Sequence, residues 1–158
     1  VEDELFCVAR NELAASSEVF SDMFLLPTAE GLADGRDKSN AVFLEGQKKS
    51  DFLALLKVIY PTSSLEFRIG LSKEEWIGVL KLSTMWDMKE IRDFSIKMLQ
   101  ERHDLSAVDM IQLARACSIG SWLKQGAVRL AESDESMPLQ TLTDLGWETA
   151  AIVLSIRD

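Results

Sequence analysis

Histidine and cysteine, from which many catalytic and metal sites are built, are scarce in this sequence. The 158 residues include one histidine, His103, and two cysteines, Cys7 and Cys117. Zinc sites and acid–base sites need several such groups at short spacing, and none accompanies His103. The two cysteines stand far apart in sequence, which supports no disulfide framework and indicates a reducing, intracellular setting, cytoplasmic or nuclear. We therefore expect no metal, no cofactor and no enzyme activity.

Long apolar runs and an excess of basic residues are also missing. No stretch of 18 apolar residues is present, so the sequence predicts no transmembrane helix. The chain starts without Met and without a basic-then-apolar leader, so we expect a fragment and no signal peptide. Acids outnumber bases by 26 to 17, whereas binding to phosphates or anionic lipids needs clustered Lys and Arg. We expect neither a nucleic acid nor a membrane as a partner.

The front of the chain carries short apolar runs of the kind that form strands. Residues 5–9 and 41–44 are rich in strand formers and predict buried strands. We expect a third strand either from a segment ahead of residue 1 or from residues 65–69. Between the first two runs, residues 12–24 place apolar side chains at spacings of three and four. This periodicity predicts one helix, which Pro27 ends.

Helical periodicity dominates the remainder of the chain. Ser50 precedes an apolar-striped segment that Pro61 ends, and Ser72 and Ser106 each precede an acid by three residues, as helix-capping serines do. Strands at the front and helices behind predict an α+β fold that is mostly helical, with a small sheet at the front.

Tryptophans are the most conspicuous large side chains of the predicted helices. They stand at Trp76, Trp86, Trp122 and Trp147. One interpretation is that they fill the core between helices, and the other is that they anchor a partner interface, where Trp is enriched. The sequence leaves both interpretations open.

Several segments of residues 5–100 follow one another in a characteristic order. A strand-like segment leads into a helix of the form L-a-a-x-S-x-x-F-x-x-M-F, then come a second strand, an F-x-x-l-L-x-x-i-Y helix and a closing helix pair. The matching segments are residues 6–9, 13–24, 42–45, 52–60, 76–86 and 88–99. In this order and spacing the chain resembles the BTB (POZ) domain. The sequences VIYP at 58–61 and LGWETAA at 145–151 resemble those of a branch of BTB proteins that is common in fungi.

The resemblance implies a non-enzymatic protein-interaction module with two parts. Residues 1–101 would be the BTB/POZ-like domain, lacking the family's first helix and strand at its N-terminus. Residues 102–158 are similar to the helical, BACK-like extension that often follows such domains. Members of the family commonly homodimerise through the missing first helix, and many are substrate adaptors of cullin-based ubiquitin ligases. Protein partners, a homodimer of the full-length protein and a cullin are therefore the expected binding partners.

The candidate partner surface lies after the M-F end of the second predicted element. It comprises the segment from residue 25 to residue 30 and the groove between that segment and the helix of residues 76–86. The residues expected to contact a partner are Leu25, Leu26, Glu30, Trp76 and Trp86. Cullin-binding members often carry a hydrophobic-x-Glu motif there, and this chain has Thr28 at the hydrophobic place before Glu30. The alternative from another class is a helical piece of a larger enzyme, which would need a deep polar pocket.

Overall fold

Every regular element that the structure describes is a helix. The computed structural model describes residues 1–26, 35, 40–60, 70–133, 141, 143 and 145–157. The helices are α1 (Arg10–Ser16), α2 (Glu18–Leu25), α3 (Lys49–Ile59), α4 (Lys73–Met85), α5 (Lys89–Arg102), α6 (Ala107–Ala116), α7 (Gly120–Glu132) and α8 (Trp147–Arg157). The chain divides into two compact units, Val1–His103 and Asp104–Asp158.

The expected α+β fold with a small front sheet is wrong, because no strand occurs among the described residues. Residues 5–9 and 41–44 have the composition of strands but are not in strands. A strand exists only when a neighbouring strand takes its backbone hydrogen bonds, and an apolar run alone does not supply that neighbour. The third candidate, residues 65–69, lies outside the described residues.

Side chains attach the first residues of the chain to α3. The Phe6 ring meets the Phe52 ring edge-on, with centroids 5.1 Å apart. The Tyr60 hydroxyl donates a hydrogen bond of 2.8 Å to the Ala9 carbonyl oxygen. Burial raises the pKa of Tyr60, so this hydroxyl remains a donor. Only part of this apolar segment packs, since Phe6 and Val8 are half-buried while Leu5, Cys7 and Ala9 are exposed.

Ser17 divides the single helix predicted for residues 12–24 into α1 and α2. Its backbone is extended, with φ −142° and ψ 122°, and its Oγ accepts a 3.1 Å hydrogen bond from the Phe20 amide as the N-cap of α2. The same Oγ donates a 2.5 Å hydrogen bond to the carbonyl oxygen of Trp86. Serine favours this position because its short side chain satisfies an otherwise orphaned helix amide. The spacing of apolar residues continues across Ser17, so it did not predict the break between the two helices.

An aromatic cluster around Trp86 forms part of the core of the first unit. The Trp86 ring meets Phe20 of α2 at a centroid distance of 5.1 Å and Phe52 of α3 at 6.1 Å, both edge-on. Trp86 itself follows α4 as its C-cap. Edge-on aromatic pairs add to the free energy gained by burying the rings. Three helices are therefore joined at one side chain.

A capping box and an ion pair fix the start of α4 against α3. Glu75 Oε2 accepts a 2.9 Å hydrogen bond from the Ser72 amide, while Oε1 lies 2.7 Å from Lys57 Nζ on α3. The hydrogen bond from Lys57 and the one from the Ser72 amide lower the pKa of Glu75. The two helices also approach closely, since a Cβ added at Gly78 would lie 2.7 Å from Asp51 Cγ.

The second unit contains a tightly packed hairpin of α6 and α7. A Cβ added at Gly126 of α7 would lie 2.8 Å from the Ala107 carbonyl oxygen and 2.7 Å from Ile111 Cγ1. One buried cluster of this unit contains Ile111, Leu130, Leu145 and Val153. Glycine at position 126 thus allows the backbones of α6 and α7 to approach.

The hairpins α4–α5 and α6–α7, one in each unit, share the same opening and the same turn. Both begin with a serine capping box, at Ser72 and at Ser106. Both turn through a residue of positive φ, Asp87 at 49° and Ser118 at 54°. The residue after each turn donates its amide to a carbonyl five residues back, at 2.8 Å in the first hairpin and 2.9 Å in the second. Because the helices of the two hairpins differ in length, the sequence shows no fixed repeat that would predict their similarity.

We predict that Gly126→Ala destabilises the protein. The new methyl group would overlap the Ala107 backbone, which cannot rotate away, so we expect a loss of about 1–3 kcal/mol in the free energy of unfolding. The matched control is Gly120→Ala on the same helix, where nothing lies within 4 Å of the added Cβ. Urea titration followed by circular dichroism measures both, and equal unfolding midpoints for the two variants would contradict the close packing.

We predict that Glu75 contributes to the pH dependence of stability. Its pKa is lowered in the folded state, so its stabilising effect is complete above the ordinary value of 4.5 and is lost as pH falls through the folded pKa. Glu75→Gln should therefore lower the unfolding midpoint at pH 7, with the difference from the wild type shrinking below pH 4.5.

The control is Glu101→Gln, which alters an exposed carboxylate 4.0 Å from Lys97 on the surface of α5. Surface pairs of this kind contribute little, so this variant should follow the wild type at every pH. A pH dependence for Glu75→Gln identical to that of the wild type would contradict the role of the ion pair.

Candidate protein-interaction surface

The described residues do not assemble a metal site. Among them, no three or more His, Cys, Asp or Glu side chains stand close enough together to hold a metal ion. His103 is the C-cap of α5 and is half-buried. Within the same residues, every helix is too short or too polar to span a membrane. The candidate functional site is a surface of the first unit.

Helix α2 has one face in the core and another in solvent. Phe20 points inward and is 4% exposed, and Phe24, one turn later, contacts it with ring centroids 5.9 Å apart. Val19, Met23 and Leu26 follow one another at the spacing i, i+4, i+7 and form a second apolar stripe. Val19 and Leu26 are exposed, and Met23 is half-buried. We call this second stripe, together with Leu25, the outer face of α2.

The outer face is most open at the end of the helix. Leu25 is 78% exposed and Leu26 is 66% exposed. Single exposed apolar residues are ordinary on protein surfaces, but a stripe of them along one helix face is typical of a contact surface. Phe43, in the same unit, is 86% exposed and adds a further apolar side chain in solvent.

Arg10 holds the last turn of α2. Its Nη2 donates a 2.6 Å hydrogen bond to the Phe24 carbonyl oxygen, and its guanidinium carbon lies 4.2 Å from the centre of the Phe24 ring. A positive charge at the carboxyl end of a helix is favourable, and so is a cation over an aromatic face. Arg10 therefore fixes the backbone immediately before Leu25 and Leu26.

An exposed ion pair lies at the other end of α2. Glu18 Oε1 lies 2.8 Å from Lys89 Nζ at the start of α5, and Lys89 Nζ lies 3.7 Å from Asp87 Oδ2. The pKa of Glu18 is lowered by the hydrogen bond from Lys89 and by its charge. The pKa of Lys89 is raised by its hydrogen bond to Glu18 and by the charges of Asp87 and Glu18. Both groups therefore remain charged around neutral pH.

The structure brings together only part of the predicted contact set. Leu25 and Leu26 lie side by side in solvent at the end of α2, whereas Trp76 is fully buried and Trp86 is 6% exposed. Glu30 lies outside the described residues. Of the other tryptophans, Trp122 is fully buried and Trp147 is 79% exposed. The core-filling interpretation thus describes Trp76, Trp86 and Trp122.

Sequence reasoning missed the contacts of Arg10 and the exposure of Val19. A signal for the stripe was available: on a helix as short as α2, the series Val19–Met23–Leu26 runs beside Phe20–Phe24. Two adjacent apolar stripes exceed what one packed face of a surface helix needs. The position of Arg10 next to Phe24 depends on the chain reversal at Ser17, which no spacing reveals.

Comparison with known proteins gives one result for this chain. The family model described as BTB/POZ domain matches residues 1–103. No curated protein matches the chain, and no solved structure does. The matched residues include α1 to α5 and hence the whole outer face of α2.

We predict that Arg10→Met loosens the end of α2 while the fold remains. Methionine keeps the apolar stem but removes the donor to the Phe24 carbonyl and the cation over its ring. We expect the free energy of opening the last turn of α2 to fall by about 1–2 kcal/mol. Faster hydrogen exchange of the Phe24 and Leu25 amides would measure this loss. Lys97→Met, on the exposed surface of α5, is the control and should leave these amides unchanged. Unchanged exchange in Arg10→Met would refute the clamp.

Proposed function

Because this chain belongs to the BTB/POZ domain family of protein-interaction modules, we propose that it binds a protein partner through the outer face of α2. The observation that carries the proposal is the exposure of Leu25 and Leu26 at the end of a helix whose other face is fixed in the core. Fully burying a leucine side chain contributes about 1.5–3 kcal/mol. A partner that covers this face would gain that free energy without refolding the helix.

The rigidity of α2 supports the same proposal. The buried hydrogen bonds of Ser17 hold its first turn, and Arg10 holds its last turn. A binding surface that is already ordered loses little conformational entropy when a partner docks. The outer face therefore has the two properties of an interaction site, exposed apolar area and fixed geometry.

Two narrower functions belong to this proposal. The first is homodimerisation of the full-length protein, which the exposed apolar side chains Leu5 and Phe43 of the same unit support. The second is the role of substrate adaptor for a cullin-based ubiquitin ligase, in which Leu26 and Glu30 would contact the cullin. Both functions place the protein inside the cell, in the cytoplasm or the nucleus.

We also propose a division of labour between the parts of the chain. Residues 1–101 act as the BTB/POZ-like interaction domain, and residues 102–158 act as a BACK-like helical extension of a fungal-type member. The compact unit Asp104–Asp158, with its own buried cluster around Ile111 and Leu145, supports this division. A deep pocket of ionisable groups in the full-length protein would favour the enzyme-fragment alternative instead.

We predict that Leu26→Ser in the full-length protein reduces partner capture at least tenfold. The side chain is exposed, so the substitution should change the free energy of unfolding by no more than about 0.5 kcal/mol. Quantitative mass spectrometry of proteins that co-purify from cells measures the loss, and thermal unfolding verifies the fold. Leu123→Ser is the control, since Leu123 is exposed on α7, in the other unit.

The same purification separates the two narrower functions. A cullin among the partners that Leu26→Ser removes would support the adaptor role, and its absence from the wild-type sample would refute that role. A full-length dimer that Phe43→Ser dissociates in light scattering would support homodimerisation, and a wild-type monomer would refute it. Retention of every partner by Leu26→Ser would overturn the proposed surface.

A further inference from the structure

Acidic side chains run along the outer face of α2. Glu18 and Asp22 precede Leu25 at the spacing i, i+4, i+7, and Asp22 lies one turn before Leu26. Both acids are exposed. Around the helix, the two carboxylates stand between Leu25 on one side and the stripe of Val19, Met23 and Leu26 on the other. The exposed surface of α2 is therefore apolar and acidic along its whole length.

The neighbouring turn makes this surface more negative. Asp87 precedes α5 and shares Lys89 with Glu18, at 3.7 Å and 2.8 Å from its Nζ. One ammonium group thus stands against two carboxylates, and Asp22 adds a third carboxylate on the same helix. The positive charge of Arg10 is directed at the Phe24 carbonyl and ring rather than at the exposed carboxylates. The three carboxylates and Lys89 together leave an excess of negative charge.

A second copy of the chain is a poor occupant for such a face. In a two-fold symmetric contact the same patch meets itself, so Glu18 and Asp22 of one copy would approach the same acids of the other. Like charges placed opposite each other disfavour association. The net charge of −9 adds long-range repulsion between copies.

We infer that the outer face of α2 binds a short basic amphipathic helix of a partner protein, with leucine-like side chains flanked by Lys or Arg. Apolar residues at helical spacing match the spacing of Val19, Met23 and Leu26, and basic residues beside them complement Glu18 and Asp22. This inference rests on the proposed function, since it specifies the chemistry of the partner that binds the same face. Both the charge of the partner helix and the spacing of its apolar residues would therefore determine whether it binds the outer face of α2.

The test uses three synthetic 14-residue peptides and the whole chain. The first peptide has leucines at positions i, i+3, i+4 and i+7 with lysines elsewhere. The second has glutamate in place of every lysine, and the third has the composition of the first in an order that forms no apolar face. Fluorescence anisotropy gives each dissociation constant, and amide chemical shifts locate the bound peptide on the chain.

We expect the first peptide to bind at least tenfold more tightly than either of the others, and to shift the amides of residues 18–26. Its affinity should fall with added salt, because charge attraction is screened. Asp22→Lys should reduce this affinity at least tenfold and improve binding of the glutamate peptide. Lysine near the carboxyl end of α2 suits the helix dipole, so this variant should fold.

The matched control is Glu132→Lys, which makes the same charge change at an exposed position on α7. An equal loss of affinity in Asp22→Lys and Glu132→Lys would mean that only net charge attracts the peptide, and would overturn the inference. Equal binding of the lysine and glutamate peptides would overturn it too, as would a dimer that Leu26→Ser dissociates. If the peptides fail while Leu26→Ser still removes a cellular partner, the proposed function stands and only the basic-helix chemistry is wrong.

Discussion

The packing of Trp86 against Phe20 and Phe52 is the contact on which the first unit depends. It joins α2 and α3 at the turn between α4 and α5, and the Trp86 carbonyl oxygen receives the Ser17 hydroxyl at 2.5 Å. A large aromatic side chain can meet several helices at once, which a small aliphatic one cannot. Because Phe20 is drawn inward by this contact, the direction of every other residue on α2 is fixed as well.

The exposure of Val19, Leu25 and Leu26 is thus a consequence of core packing. With Phe20 turned into the core, Leu25 and Leu26, five and six positions later, lie more than 100° around the helix and are exposed, whereas Met23, three positions later, stays at the half-buried edge. Arg10 and the buried hydrogen bonds of Ser17 then hold the two ends of α2 in place. An apolar stripe lined by acids is the physical basis for the interaction role that we propose, and it lies within the residues that match the BTB/POZ family.

The sequence predicted most helices and the caps at Ser72 and Ser106, but it predicted long-range pairing poorly, and its N-cap at Ser50 is wrong because α3 begins earlier, with Lys48 as its N-cap. The capping boxes at Ser72 and Ser106 are local, since each joins residues three apart, and the structure has both. The strands predicted for residues 5–9 and 41–44 are absent because a sheet needs a partner strand that composition does not supply. The exposure of Leu25 and Leu26 followed from their position past the core stripe. The burial of Trp86 and the hydrogen bond from Arg10 to the Phe24 carbonyl depend on contacts between helices. Periodicity within one helix does not predict such contacts, so the sequence predicted only the exposed leucines of the candidate site.

The accessibility of leucine methyl groups tests the central claim, that α2 packs by one face and binds by the other, most directly. A soluble paramagnetic probe relaxes nuclear spins in proportion to their exposure, and the fully buried Leu55 provides the reference within the same chain. We predict strong relaxation of the Leu25 and Leu26 methyl groups in the free protein, and weak relaxation once the lysine–leucine peptide is bound. Methyl groups of Leu26 as protected as those of Leu55 in the free protein, or equally relaxed with and without the peptide, would contradict the account.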